Sequence, residues 1–244
     1  MNQNQFFCLA IPVLFTLSAH GEVLRVDFND LTGGTPSQLV GQQSSELLGA
    51  WQSEGEGPSV QAGDLESPAP FKSKQSGTPQ SISGIEPNSA KAKLLSRWST
   101  AAHGTTFWFS FLFRQPDASS RCGINLNGMR VVAIGGSVMI TSGNAKPISG
   151  LELGTTHLVV GKVAIDPAKG AIDTISLWVD PTDLDNLEAS ADKHSVFTGS
   201  FFHEGGIIEI GVESYSDGGT SGGQIDQIIV TPDLSEMRQS LGSN

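Results

Sequence analysis

Residues Thr155–Pro181, TTHLVVGKVAIDPAKGAIDTISLWVDP, constrain the fold more than any other stretch of the chain. They read as two β-strands, His157–Ile165 and Ile172–Val179, joined by a Pro-Ala-Lys-Gly turn. Val, Ile, Leu, Thr and Trp fill both runs, the residues that suit a pleated, half-buried surface. In the second run Ile175, Leu177 and Val179 alternate with Thr174, Ser176 and Trp178, the period of a strand with one buried and one wetter face.

The same pattern recurs along the chain. Thr105–Arg114 places Phe107, Phe109, Phe111 and Phe113 on one face, which predicts a central core strand, since each ring buries about 150–250 Å². Cys122–Asn127, Met129–Ile134 and Ser137–Thr141 are short strands separated by Asn127-Gly128 and Gly135-Gly136, both strong hairpin signals. Glu22–Asn29, Ala90–Arg97, Ser195–Phe202, Gly206–Glu213 and Gly223–Val230 complete the expected strands, with Asp183–Lys193 as a polar connection. Gly57–Asn88, rich in Gly, Ser, Pro and Gln, is expected to be a surface excursion with one or two short edge strands. Near the end, Asp233 precedes Glu236 by three residues, and Leu234, Met237 and Leu241 follow at helical spacing, so a short C-terminal helix is expected. The expected fold is therefore all-β, a two-sheet antiparallel β-sandwich.

The first residues have the layout of a secretory signal peptide: an apolar run from Phe6 to Leu17, then Ala19-His20-Gly21 as an A-x-A-like cleavage site. The expected division is 1–21 signal peptide, 22–232 sandwich domain and 233–244 tail, giving a protein secreted or released to a bacterial periplasm as a free monomer. The formal net charge of −11 argues against nucleic acid and anionic lipid, both of which call for basic surfaces. Beyond the expected cleavage only Cys122 remains, so no intramolecular disulfide forms, and Cys122 itself reads as a small buried hydrophobe. His103, His157, His194 and His203 show no metal-binding spacing.

Three segments carry a resemblance: Thr106-Phe107-Trp108-Phe109-Ser110-Phe111-Leu112, Leu158-Val159-Val160-Gly161-Lys162-Val163 and Asp173-Thr174-Ile175-Ser176-Leu177-Trp178-Val179-Asp180-Pro181. With the closing Ile225-Asp226-Gln227-Ile228-Ile229-Val230 and the opening Val26-Asp27-Phe28-Asn29, the chain resembles the secreted bacterial laminin-G-like jelly rolls of the concanavalin A-like lectin/glucanase superfamily. The resemblance implies two curved antiparallel sheets, one of them concave, and a role in recognising glycans or another cell-surface component. It also implies a structural Ca²⁺ held by an Asp of the last strand near the first, which points to Asp226 with Asp27 and Asn29; calcium's demand for 6–8 oxygens would bring in carbonyls and water.

Two further readings concern sites. Trp108 and Trp178 fall on the wetter faces of their strands and form a candidate platform for stacking sugar rings. Glu209-Ile210-Gly211-Val212-Glu213 puts two carboxylates on one strand face and resembles the family-16 glycoside hydrolase motif, in which an Asp stands between two Glu. Gly211 occupies that middle place here, and the strand is the penultimate one, so the two Glu read as solvated and no catalytic residue is assigned. The expected function is a non-catalytic binder of carbohydrate or another extracellular surface component. The alternatives are a glycan hydrolase or lyase on the same fold, and a structural or adhesive module without a small ligand.

Overall fold

The structure, a computed structural model, describes residues 23–26, 28–31, 37–44, 47–53, 57–72, 80–84, 88–99, 104–141, 143–166, 168, 172–190, 193–202, 206–218 and 221–242, with Ala90 the one side chain described between 88 and 99. The expected signal peptide and Asp27 lie outside these residues.

The strands form two antiparallel sheets. Sheet A runs in the order β14 (Lys193–Gly199), β13 (Asp173–Val179), β12 (Thr156–Ala164), β7 (Thr106–Arg114), β16 (Gln224–Thr231), β5 (Gln80–Ser83), β4 (Ser59–Ala62) and β2 (Ser37–Gln38), with β1 (Leu24–Val26) also on β16. Sheet B runs β11 (Ile148–Ser149), β10 (Ser137–Ile140), β9 (Met129–Ile134), β8 (Ser120–Leu126), β15 (Gly206–Ser216), β6 (Asn88–Ser99) and β3 (Leu47–Gln52). This is the two-sheet sandwich expected from the sequence. The leading hairpin forms as read, with Val159 opposite Val179 and Val163 opposite Ile175.

Local chemistry explains the register. Asn127 and Gly128 both take positive φ, 53° and 105°, so Leu126 faces Met129 across a two-residue turn whose twist matches the strands. Gly161 sits opposite Phe109, and a Cβ there would fall 2.1 Å from the ring; only glycine leaves the ring its place in the core. Between the sheets, Phe107, Phe109, Phe111 and Phe113 pack with Ile124, Val131, Ile210 and Val212. One irregularity matters later. In β16 the pairing with β7 shifts between Asp226 and Ile229, and Gln227 takes φ 52°. This bulge turns Ile228 toward the inter-sheet core and Ile229 toward the outside of sheet A.

A second apolar cluster lies on the outside of sheet A. Trp108, Leu112, Leu158, Val160, Trp178 and Ile229 project outward and are covered by Leu65, Phe71, Leu184, Leu187, Met237 and Leu241. The cover has three pieces: the excursion after β4, the connection after β13, which contains α1 (Leu187–Ser190), and the C-terminal helix α2 (Leu234–Leu241). The tail thus docks as expected, with the Asp233 carboxylate accepting the Glu236 N–H at 2.9 Å as its N-cap. The connection expected to be merely polar turns Leu184 and Leu187 inward.

The pieces are tied to one another. Lys72 N donates to the Leu241 carbonyl at 3.0 Å, Arg25 Nη2 to the Ser240 carbonyl at 3.3 Å, and Arg238 pairs with Asp185. His157 holds the end of β13: its Nδ1 lies 2.6 Å from Asp180 Oδ2 and its Nε2 2.9 Å from the Glu152 carbonyl. Both neighbours offer acceptor oxygens, an arrangement that favours the imidazolium, the form in which both ring nitrogens donate. Burial alone pushes this histidine's pKa down. The Asp180 hydrogen bond, the Glu152 carbonyl and the Asp180 charge outweigh burial and a smaller opposing effect of Lys193, so the net direction is up.

Candidate functional site

The sequence-derived platform is not open. Trp108 is 9% exposed and Trp178 4%, and their rings stack on each other at 6.0 Å beneath the cover of sheet A. The wetter face read from Thr174, Ser176 and Trp178 is wet only at its outer end: Thr174 is exposed and Ser176 half-buried, while Trp178 belongs to the second core. The physical reason is that α2 and the two excursions need an apolar surface, and the two indoles supply much of it. Lys162 sits over the Trp108 ring at 5.5 Å and the exposed His194 stacks on Trp178 at 4.9 Å, closing the margin that the cover leaves.

Of the candidate cation residues, Asp27 lies outside the described residues, and Asn29 and Asp226 each hold a backbone N–H of sheet A or of the excursion over it. Asp226 is fully buried; its Oδ2 accepts the Leu65 N–H at 2.9 Å and its Oδ1 the Gln227 N–H at 2.7 Å. Asn29 Oδ1 and Asp64 Oδ1 both accept the Gln80 N–H, each at 2.7 Å. Gln80 Oε1 is buried here with no hydrogen-bond partner, a hard oxygen of the type calcium takes. Among the described residues no group of three or more His, Cys, Asp and Glu converges, so amide and carbonyl oxygens would have to complete any shell. What Asp226 visibly does is anchor Leu65, and with it the excursion, over sheet A.

Sheet B presents the opposite picture. Alternation in β8, β9 and β15 turns Cys122, Ile124, Val131, Ile210 and Val212 inward. It therefore turns Arg121, Gly123, Asn125, Arg130, Glu209, Gly211, Glu213 and Tyr215 outward. The second apolar cluster belongs to sheet A alone, and α2 packs on β16 and β7. The outer face of sheet B keeps polar side chains linked across strands. Arg130 pairs with Glu213 through Nη2; the Arg130 side chain is 44% exposed and that of Glu213 11%. Arg121 Nη1 donates to the Tyr215 hydroxyl at 3.0 Å, its guanidinium lies 5.2 Å over the Tyr215 ring, and Nη2 pairs with Asp217. The floor between these two groups is bare backbone. Gly123 faces Glu213 and Gly211 faces Asn125, and a Cβ on Gly123 would fall 2.4 Å from the Val131 carbonyl oxygen.

Glu209 and Glu213 do share this face, as their spacing in the strand requires, but they are not two solvated acids. Glu213 is drawn down onto the sheet by Arg130, and its Oε1 is buried without a hydrogen-bond partner. Cys122 lies fully buried one strand away; burial, with the Glu213 charge adding to it, pushes its thiol pKa far up, so it stays an inert thiol. Arg121, Arg130 and Tyr215 were not singled out by sequence reasoning. The signal was present, since the Asn127-Gly128 turn fixes Leu126 opposite Met129 and so places Arg130 opposite Asn125. What the sequence lacked was the knowledge of which outer face would be covered.

By sequence, the chain matches no protein-family model and no curated protein. By structure it is similar to an endo-β-1,4-glucuronan lyase from the fungus Trichoderma reesei, at 10% identity and TM-score 0.44 over 78% of this chain and 92% of that one. It is also similar to lectin UEA-II complexed with galactose, at 8% identity and TM-score 0.44 over 87% and 98%. A third likeness is to a carbohydrate esterase of the Shiga toxin-encoding bacteriophage phi24B, at 13% identity and TM-score 0.41 over 72% and 89%. At such identities nothing about individual residues follows from them.

Proposed function

We propose that this protein is an exported, non-catalytic β-sandwich that binds carbohydrate on the outer face of sheet B and acts as a free monomer. The observation that carries the reading is the contrast between the two outer faces. Sheet A's is sealed by apolar packing, whereas sheet B's holds an aromatic ring, two guanidinium groups and an amide side by side over a glycine floor. Sugars are recognised by such sets, since hydroxyls take hydrogen bonds from amides and guanidiniums while ring faces pack on aromatic ones. Export is supported by the N-terminal sequence pattern, and no described helix is long and apolar enough to cross a membrane.

The test is retention on a panel of immobilised polysaccharides. Asn125→Trp, in the middle of the sheet B face, should abolish retention, and Thr174→Trp, at the exposed margin of sheet A, should leave it unchanged. Retention that survives Asn125→Trp and fails with Thr174→Trp would move the site to the other sheet.

A structural Ca²⁺ at the Asp226 end belongs to the same proposal. Asn29, Asp64, Gln80 and Asp226 would lend it oxygens, and it would compensate a fully buried carboxylate there. Calcium should then raise the melting temperature and a chelator lower it. Equal melting curves in both would remove the cation and leave Asp226 as the anchor of the Leu65 and Gln227 N–H groups.

A further inference from the structure

Basic positions gather on the sheet B face of an acidic chain, and this bears on which carbohydrate it takes. The protein has 14 Lys and Arg against 25 Asp and Glu. Yet Arg121 and Arg130 stand on this face, and in the register Lys91 and Lys93 stand opposite the outward positions Gly211 and Glu209. Two guanidiniums and two lysine positions of the register thus stand among three carboxylates, Glu209, Glu213 and Asp217.

Resting on the carbohydrate reading, we propose that the ligand is a carboxylated polysaccharide, whose uronate groups are taken by Arg130 and Arg121. Both guanidiniums already hold carboxylates of the chain itself, Glu213 on Arg130 and Asp217 on Arg121. Each guanidinium is thus already placed where a carboxylate reaches it through Nη2, and a planar carboxylate is the group a guanidinium pairs with best. Arg130 is the more available of the two. Glu213 engages it through Nη2 alone and lies beneath it, 11% exposed, while the Arg130 side chain is 44% exposed. Arg121 is braced by the Tyr215 hydroxyl and ring, and the hydroxyl that accepts from Arg121 keeps its own proton to donate to a sugar oxygen.

Arg121 and Asn125 are four residues apart in β8, and Arg130 faces Asn125, so the Cα atoms of the two arginines are roughly 14 Å apart by strand geometry. That span matches several linked sugars and not a single one. Glu213 is the internal competitor: it occupies the guanidinium that an incoming uronate would take.

The experiment is calorimetric titration of the full chain and its variants with polygalacturonate, a neutral β-glucan, dextran sulfate and polyglutamate, each at low and high salt. The expected result is binding of polygalacturonate that weakens with salt, with the other three bound at least tenfold more weakly. Arg130→Gln and Arg121→Gln should each weaken it about tenfold, as expected for loss of a charge-assisted hydrogen bond. Glu213→Gln should strengthen it severalfold by releasing Arg130. The double variant Arg130→Gln/Glu213→Gln, which leaves no unpaired carboxylate under the face, separates lost binding from lost folding.

Neutral β-glucan bound as well as polygalacturonate, with both Arg variants unaffected, would overturn the uronate assignment and leave the carbohydrate reading standing. Equal affinity for dextran sulfate or polyglutamate would also overturn it, in favour of a general polyanion surface or an acidic protein segment. No affinity for any polysaccharide would remove both.

Discussion

The two outer faces of this sandwich are built from strands of the same kind and have opposite fates. On sheet A, Trp108, Leu112, Leu158, Val160, Trp178 and Ile229 make a continuous apolar surface, and three segments fold over it. On sheet B, the outward positions of β8 and β9 alternate Arg121, Gly123 and Asn125 with Arg130, Val132 and Ile134, a row broken by charge and glycine, and among the described residues no second apolar cluster lies on it. A residue's meaning therefore depends on which face it stands on. A tryptophan on sheet A is core, and a tyrosine on sheet B is surface.

The largest test of that contrast is Trp178→Ala. If the indole is core, the change should cost about 3–5 kcal/mol of stability in chemical denaturation, the usual range for a buried large aromatic. Polysaccharide retention under native conditions should be untouched. Full stability with lost retention would reverse the reading and restore the platform.

Next in size is Met237→Ala in α2, which is fully buried against the outside of sheet A. A loss of about 2–3 kcal/mol is expected, toward the low end for such truncations because a terminal helix settles more easily than an internal strand. Leu48→Ala on β3 of sheet B, where Leu48 is 59% exposed, is the control, since trimming a surface residue moves stability by less than about 0.5 kcal/mol. If the two substitutions prove equal, α2 is not a working part of the cover.

These substitutions also mark how far the sequence could be read. The β-sandwich, the four-Phe strand, the Asn127-Gly128 hairpin and the terminal helix with its Asp233 cap were all legible, because each rests on local periodicity or turn chemistry. The fate of Trp108 and Trp178 was not. Alternation tells which residues share a face and says nothing about what lies over it. Here the cover comes from residues far along the chain, such as Phe71, Leu184 and Met237. The bulge at Gln227 was equally hidden, and it is what puts Ile229 on the covered side and Asp226 where it anchors Leu65. His157 carried no signal beyond opening its strand, and only the fold brings Asp180 and the Glu152 carbonyl to its two nitrogens.

That histidine gives a smaller, pH-dependent test of the covered face. Its pKa is raised above the ordinary 6.5, so its contribution to stability is fully present below about pH 6.5 and is lost as pH rises through the folded-state value. The charged groups around it are Asp180, which favours the imidazolium, and Lys193, which opposes it. Stability measured from mildly acidic to mildly alkaline pH should therefore fall on the alkaline side, and His157→Gln should flatten that part of the curve. An unchanged slope in the variant would show that another group carries the dependence.

The smallest effect is expected on the open face, and it tests the contrast from that side. Arg130 and Glu213 form an ion pair whose cation is 44% exposed, so their coupling in a double-mutant cycle should be about 1 kcal/mol or less. The two single variants should not behave alike. Arg130→Gln leaves Glu213, 11% exposed and with Oε1 already lacking a partner, as a carboxylate held against the sheet without its cation. Glu213→Gln leaves only a guanidinium that water can reach. Arg130→Gln should thus be the more destabilising single change, and adding Glu213→Gln should recover most of the loss, since an unpaired charge near a surface is worse than no charge. A coupling of several kcal/mol would mean the pair is structural, as buried as the tryptophans opposite. A weak coupling with this asymmetry fits a face that folding leaves free to exchange its own carboxylate for another.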